Sequence, residues 1–151
     1  MLSVPKRTPS SGRIVSVVER RDRGVLDTSV IIDLSLIDED ALPRESAISA
    51  VTLAELSQGP HLAATARERA IRLERLQVVE ATYRAPLPFD AAAARRYGSL
   101  VALVIESGRA VRPRRIDLMI AATAAAHDLP LYTRNRDDFA GLEGVVDVVG
   151  V

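Results

Sequence analysis

Short apolar segments alternate with longer segments of helical period along most of this chain. The apolar pattern predicts strands at 24–27, 47–51, 77–80, 129–133 and 145–149. It predicts helices over 29–36, 52–58, 61–76, 91–107 and 117–127, with Asp90 as the N-cap of the fourth helix and Gly108 as its stop. The alternation predicts an α/β fold with a central, mostly parallel sheet and helices on both faces.

The segments between these elements are polar or basic. We predict a polar loop at 38–45, a break at Gly59-Pro60, a basic loop at 109–115 and a turn or short helix at 135–139. Residues 1–23 hold six basic and two acidic side chains, a net charge of +4 in a chain whose total is zero. We interpret 1–23 as a basic, flexible N-terminal extension and 24–151 as one folded domain.

Composition excludes several classes of site. The chain has no Cys and two His, so it offers no disulfide framework and no cysteine zinc site. Aromatic residues make up 3% of the chain, which argues against an aromatic platform for stacking bases. No apolar run is long enough to span a membrane, and no signal peptide is recognisable, so we expect a cytoplasmic protein without membrane contact.

Acidic residues recur at the positions where sites form in α/β sheets. Those that follow predicted strands or begin the next helices are Asp27, Glu55, Asp117 and the adjacent pair Asp137 and Asp138. Because the carboxyl ends of parallel strands meet at one edge, these carboxylates are expected to converge. Converging carboxylates repel one another, and a divalent cation with a preference for oxygen ligands, Mg²⁺ or Mn²⁺, would neutralise them.

Each acid also has an ordinary structural interpretation. Asp27 and Asp117 could cap the helices that follow them. Thr52 and Glu55 have the spacing of a capping box, and Asp137 and Asp138 could be turn residues. The case for a site depends on the whole set.

Three segments together resemble a known family: VLDTSVIIDL, ISAVTLAELSQG and RIDLMIAATAAAHDLPLYTRNRDDF. They are similar to the PIN-domain ribonucleases, and most closely to the VapC toxins of bacterial toxin–antitoxin pairs. The resemblance covers residues 24–151 and implies a PIN-like α/β/α sandwich. It implies a Mg²⁺- or Mn²⁺-dependent endoribonuclease that uses a metal-activated water and leaves a 5′-phosphate and a 3′-hydroxyl.

Carried over position by position, the resemblance assigns the catalytic and metal-binding acids to Asp27, Glu55, Asp117 and Asp138. Asp138 is preferred to Asp137 because it directly precedes Phe139. Three further residues would orient these ligands without binding the metal themselves: Ser29, Thr133 and Asn135. The hydroxyls of Ser29 and Thr133 could equally be ordinary turn and cap groups.

Substrate RNA would need basic residues beside an acidic cleft. The loop before Asp117 supplies Arg109, Arg112, Arg114 and Arg115, of which the last three are the predicted RNA-binding residues; a solvated loop is the alternative. The resemblance further implies a transfer or ribosomal RNA substrate, a VapB-like antitoxin that inhibits the enzyme, and a homodimer.

Rival functions fit the residues less well. A receiver-like signalling domain needs a lysine near its aspartate, and Lys6 is the chain's one lysine. A haloacid-dehalogenase-like phosphatase needs Asp-x-Asp where this chain has Asp27-Thr28-Ser29, and a P-loop is absent. The remaining alternative is a PIN fold that binds RNA or a partner without cleavage.

Overall fold

The computed structural model describes residues 20–151 as a four-stranded sheet between two layers of helices. The strands are β1 (Arg23–Leu26), β2 (Glu45–Ala47), β3 (Leu131–Thr133) and β4 (Val148–Gly150). They are all parallel, in the order β2-β1-β3-β4, with Val25 opposite both Ala47 and Leu131. The predicted α/β/α fold with a central, mostly parallel sheet is confirmed.

Within residues 20–151, five α-helices connect and cover the strands: α1 (Thr28–Ile32), α2 (Ala50–Gln58), α3 (Ala66–Thr82), α4 (Ala91–Glu106) and α5 (Arg115–Ala126). Short 3₁₀ helices lie at Leu34–Leu36, Glu39–Ala41, Gly59–Leu62, Arg112–Arg114 and Arg136–Phe139. Among residues 20–151, no helix is both long enough and apolar enough to cross a membrane.

Successive side chains of each strand point to opposite faces of the sheet, so the core has two halves, one on each face. Val25 and Leu131 face the helices α4 and α5, whereas Leu26 and Tyr132 face α1 and α3. Alanines let α5 pack close to α4, and 0% of the surface of Ala121 is exposed. Each face of the sheet is therefore covered, and the sites available to polar chemistry lie at the strand ends.

Several predicted element boundaries are wrong. The predicted strand at 77–80 is instead the last part of α3. Leu76, Val79 and Tyr83 lie on one side of this helical segment and pack against the core. The β-like segment predicted at 47–51 ends at Ala47, because the hydroxyl of Ser49 caps α2 by accepting from the N–H of Thr52 at 3.0 Å.

The other elements agree with prediction more closely. Asp90 caps α4 by accepting from the N–H of Ala93 at 3.0 Å, and Gly108 ends that helix with φ 73°. The predicted helix at 61–76 begins at Ala66, after the cap Thr65. The turn or short helix predicted at 135–139 is the 3₁₀ helix Arg136–Phe139.

Residues 1–19 of the predicted extension lie outside the described residues. The next residues contact the domain: Arg20 donates from Nε to the carbonyl of Leu42 at 2.8 Å, and the N–H of Arg44 donates to the carbonyl of Arg21 at 3.0 Å. Arg23 is the first residue of β1.

Candidate metal centre and nuclease site

Asp27 lies at the end of the central strand β1, and 4% of its surface is exposed. Both of its carboxylate oxygens accept hydrogen bonds. Oδ1 accepts from the N–H of Thr28 at 2.8 Å, while Oδ2 accepts from the hydroxyls of Ser29 at 2.9 Å and Thr133 at 2.8 Å. Asp27 therefore caps α1 and is also held by two hydroxyls, so burial does not leave its charge without partners.

The two hydroxyls that hold Asp27 are themselves fixed from the other side. Ser29 Oγ accepts from the N–H of Arg134 at 3.1 Å, and Thr133 Oγ1 accepts from the N–H of Asn135 at 3.0 Å. Because each hydroxyl has one proton, both protons are directed to Asp27. The predicted support residues Ser29 and Thr133 thus contact Asp27, whereas Asn135 contributes its backbone and has an exposed side chain.

Glu55 lies on α2, half-buried, and faces α1. Its Oε1 accepts a hydrogen bond of 2.6 Å from the hydroxyl of Thr28. The alternative interpretation of Thr52 and Glu55 as a capping box does not hold, since Ser49 is the cap of α2 and Glu55 accepts a hydrogen bond from another helix. Burial, together with the charge of Asp27, raises the pKa of Glu55, and the hydrogen bond from Thr28 opposes this rise.

Asp117 lies in the first turn of α5 and is not its N-cap, a position that Arg114 occupies. Burial is the main cause that raises the pKa of Asp117 from 3.8 to about 6, followed by the negative charges of Asp27, Asp138 and Glu55. The charge of Arg114 acts in the opposite direction. The three other predicted acids, which come from separate segments, therefore all lie close enough to Asp117 for their charges to act on it.

The neighbouring acids do not join this set. Asp137 is not among the charges that raise the pKa of Asp117, whereas Asp138 is. Both lie exposed on the 3₁₀ helix Arg136–Phe139. Asp33 lies at the end of α1, where its Oδ2 is 3.7 Å from Nη1 of Arg134.

The cluster has little positive charge to balance it. Within residues 20–151, no arginine comes within ion-pairing distance of the four acids; the ion pairs there join other carboxylates. As these side chains stand, no three carboxylates or histidines of the described residues are arranged to hold a metal ion. The oxygen ligands and the charge of the four acids nevertheless fit a hard divalent cation, and the exposed Asp138 and the half-buried Asp117 and Glu55 would have to move to bind one.

The basic loop divides into two parts. Arg112 and Arg115 are exposed at the start of α5, and Arg114 is half-buried and donates to the carbonyl of Ala110 at 2.9 Å. Arg109 instead donates to the carbonyls of Asp137 at 2.9 Å and Ala140 at 3.2 Å. Arg109 thus anchors the 3₁₀ helix that carries Asp138, a contact that the sequence pattern does not reveal.

Comparison with known proteins adds independent findings. Residues 24–144 match the PIN domain family. The chain is 45% identical over 128 residues to Ribonuclease VapC5 of Mycobacterium tuberculosis, covering 83% of this chain and 91% of that protein. It is 35% identical to VapC ribonuclease Y4jK of Sinorhizobium fredii over 132 residues, 79% of this chain and 93% of the relative.

A solved structure shows the same fold. It is described as a member of the VapBC family of toxin-antitoxin systems, VapBC-5, from Mycobacterium tuberculosis. The matched chain is 45% identical and superposes with a TM-score of 0.75, covering 85% of this chain and 98% of the other. The match to the PIN domain family over residues 24–144 includes the four acids Asp27, Glu55, Asp117 and Asp138.

Proposed function

Because the chain belongs to the PIN-domain family and is a VapC ribonuclease homologue, we propose that it is a toxin endoribonuclease that depends on Mg²⁺ or Mn²⁺. Its substrate would be a transfer or ribosomal RNA. The observation that carries this proposal is the convergence of Asp27, Glu55 and Asp138, from separate segments, on the half-buried Asp117, whose pKa their charges help to raise. Carboxylates that repel one another and form no ion pair within residues 20–151 favour a divalent cation as the missing charge.

In the proposed reaction, Asp27 and Asp117 are the primary ligands and Glu55 and Asp138 complete the site. A bound ion would supply a water of lowered pKa as nucleophile and would stabilise charge on the phosphate. Ser29 and Thr133 hold Asp27 in one orientation, so this ligand is organised before substrate binds. The exposed guanidinium groups of Arg112 and Arg115, with Arg114 beside them, would bind the RNA backbone.

Cleavage of structured RNA by the purified protein tests the proposal. We expect activity with Mg²⁺ or Mn²⁺, no activity in EDTA, and loss of activity in Asp27→Asn and Asp117→Asn. Asp137→Asn is the matched control, because Asp137 adjoins Asp138 yet does not act on Asp117. Cleavage that persists in Asp27→Asn, or that is complete in EDTA, would contradict the proposal.

The same experiment separates the alternative function. A protein that binds Mn²⁺ and RNA but leaves total RNA intact would be a PIN-fold binding protein without cleavage activity. Mapping RNA ends after brief induction, with Asp27→Asn beside the wild type, would identify the target.

We propose in addition that a VapB-like antitoxin inhibits the enzyme and that the toxin forms a homodimer. Support for the antitoxin comes from an apolar groove of about 620 Å³ between α1 and α3. Its exposed side chains include Ile32, Ile71 and Val78, with 46%, 49% and 60% of their surface exposed. Ile32 and Ile71 also line a second groove that reaches Glu55, so one partner could cover both apolar surface and acids.

Substitution in the groove tests the antitoxin proposal. We expect Ile71→Asp and Val78→Asp to abolish inhibition by a VapB-like antitoxin while RNA cleavage stays intact. Leu73→Asp is the control, since Leu73 is exposed on the same helix but lines neither groove. Equal inhibition of all three variants would contradict the proposal that the antitoxin binds in the groove between α1 and α3.

A further inference from the structure

Thr28 forms hydrogen bonds with two of the four acids through different atoms. Its backbone N–H donates to Oδ1 of Asp27 at 2.8 Å, and its hydroxyl donates to Oε1 of Glu55 at 2.6 Å. Asp27 ends β1 and Glu55 belongs to α2, so Thr28 joins acids from two separate segments. The sequence pattern gave this residue no role.

A buried chain of hydroxyls lies behind Thr28. The hydroxyl oxygens of Thr28 and Thr52 are 3.3 Å apart, and Ser49 donates to Thr52 Oγ1 at 3.1 Å. Neither Ser49 nor Thr52 has exposed surface, and Ser49 is fixed as the cap of α2. The Thr28 side chain, already stiff because it is β-branched, therefore has polar neighbours on both sides of its hydroxyl.

Glu55 depends on this contact for its orientation. Across residues 20–151, Thr28 is the one side chain that donates a hydrogen bond to Glu55, and no arginine pairs with it. Since Oε1 is held by Thr28, rotation of the carboxylate is restricted and Oε2 is left for another partner. Preorganisation of this kind lowers the entropy lost when a ligand binds.

We infer that Thr28 is a positioning residue, whose hydroxyl fixes the Glu55 carboxylate relative to Asp27 for RNA cleavage. The inference rests on the proposed nuclease function. Thr28 acts through Glu55 and contacts neither the RNA nor the ion.

The hydroxyl can be removed without removing the helix cap. The cap of α1 uses the backbone N–H of Thr28, which Thr28→Val retains. Valine also keeps the β-branched shape, and Thr28→Ser keeps the hydroxyl without the methyl group. A purely structural role in starting α1 would be preserved by valine, whereas a positioning role would be preserved by serine.

The test measures kcat and KM on RNA, and Mn²⁺ affinity by calorimetry without RNA. For Thr28→Val we expect kcat to fall at least about tenfold with KM unchanged, and Mn²⁺ affinity to fall by about tenfold, as for other groups that orient metal ligands. Thr28→Ser should restore both values. In a Glu55→Gln background, Thr28→Val should add no further loss of Mn²⁺ affinity, because the orientation of Glu55 no longer matters.

Wild-type values of kcat and Mn²⁺ affinity in Thr28→Val would overturn the inference, as would equal damage in Thr28→Ser. Thr28→Ala serves as the second hydroxyl-free variant if the valine variant is partly unfolded by circular dichroism. Failure of the nuclease proposal is recognised separately, because the wild type would then leave RNA intact. The Mn²⁺ measurements would still decide whether Thr28 orients Glu55.

Discussion

The hydroxyl of Thr133 donates a hydrogen bond of 2.8 Å to Oδ2 of Asp27, across 106 positions of the chain. The two residues lie at the ends of the adjacent parallel strands β1 and β3. Thr133 also accepts from the N–H of Asn135, at the start of the turn that leads to Asp138. The hydroxyl of Thr133 thus links Asp27 to the segment that carries Asp138.

Thr133→Val should reduce both stability and RNA cleavage. The substitution removes a donor from a buried carboxylate and an acceptor from the N–H of Asn135, which we expect to lower the free energy of unfolding by about 1–3 kcal/mol. Loss of support for Asp27 should lower kcat by about 10–100-fold. Urea denaturation and steady-state cleavage of RNA measure the two effects.

Thr123→Val is the matched control for this prediction. Thr123 is equally buried, but its hydroxyl donates to the carbonyl of Met119 within α5 and not to a site carboxylate. We expect full cleavage activity in this variant. Similar kcat values for the two valine variants would show that Thr133 does not support Asp27.

The raised pKa of Asp117 predicts that the metal-free protein loses stability as the pH rises. Between about pH 4 and pH 6 the folded protein keeps a proton on Asp117 that the unfolded chain has released, so the free energy of unfolding falls over that interval. The fall attributable to Asp117 should be on the order of 1 kcal/mol, because the carboxyl is only half-buried and solvent screens it. Urea denaturation in EDTA at a series of pH values measures it.

Asp117→Asn supplies the comparison for the pH prediction. Its stability should exceed that of the wild type at pH 7.5 and converge with it near pH 4, because the amide has no charge to be repelled. Added Mg²⁺ should raise the stability of the wild type more than that of the variant. Parallel pH profiles of the two proteins would contradict the prediction.

Two glycine-to-alanine substitutions should change stability in opposite directions. A Cβ on Gly24 in β1 would lie 2.4 Å from Cε2 of the buried Tyr132 ring, so Gly24→Ala should destabilise the fold by about 1–3 kcal/mol. Gly98 lies exposed within α4 with no atom within 4 Å of such a Cβ, so Gly98→Ala should stabilise it by about 0.5–1 kcal/mol. Chemical denaturation of both variants tests this; a loss of stability in Gly98→Ala, or none in Gly24→Ala, would contradict it.

The sequence predicted the two inner strands β1 and β3 and their parallel pairing, because local and global signals agree there. Val25 and Leu131 lie in short apolar runs, and parallel pairing follows from the helices between them. The segment 77–80 misled because two adjacent valines favour a strand, while Leu76, Val79 and Tyr83 continue the helical period of α3. A short segment cannot decide between these patterns without its neighbours.

In the site, too, some features could be predicted from the sequence and others could not. The rule that parallel strands end at one edge sufficed to nominate Asp27 after β1 and the pair Asp137 and Asp138 after β3, because it depends on topology alone. The bonds of Thr28 to Glu55, and of Arg109 to the carbonyls of Asp137 and Ala140, depend on how helices and loops are placed in space. The capping pattern of Thr52 and Glu55 is a local signal that this placement overrides.

The order of the strands also determines when the site can form. β1 is made early in synthesis, but one of its two neighbours in the sheet is β3, more than 100 residues later. Contacts so distant in sequence form late and slowly in folding. When only the first hundred residues have left the ribosome, the growing chain contains Asp27 and Glu55 but not yet Asp117, Thr133 or Asp138. At that stage the chain therefore has no complete acidic centre beside the ribosomal RNA.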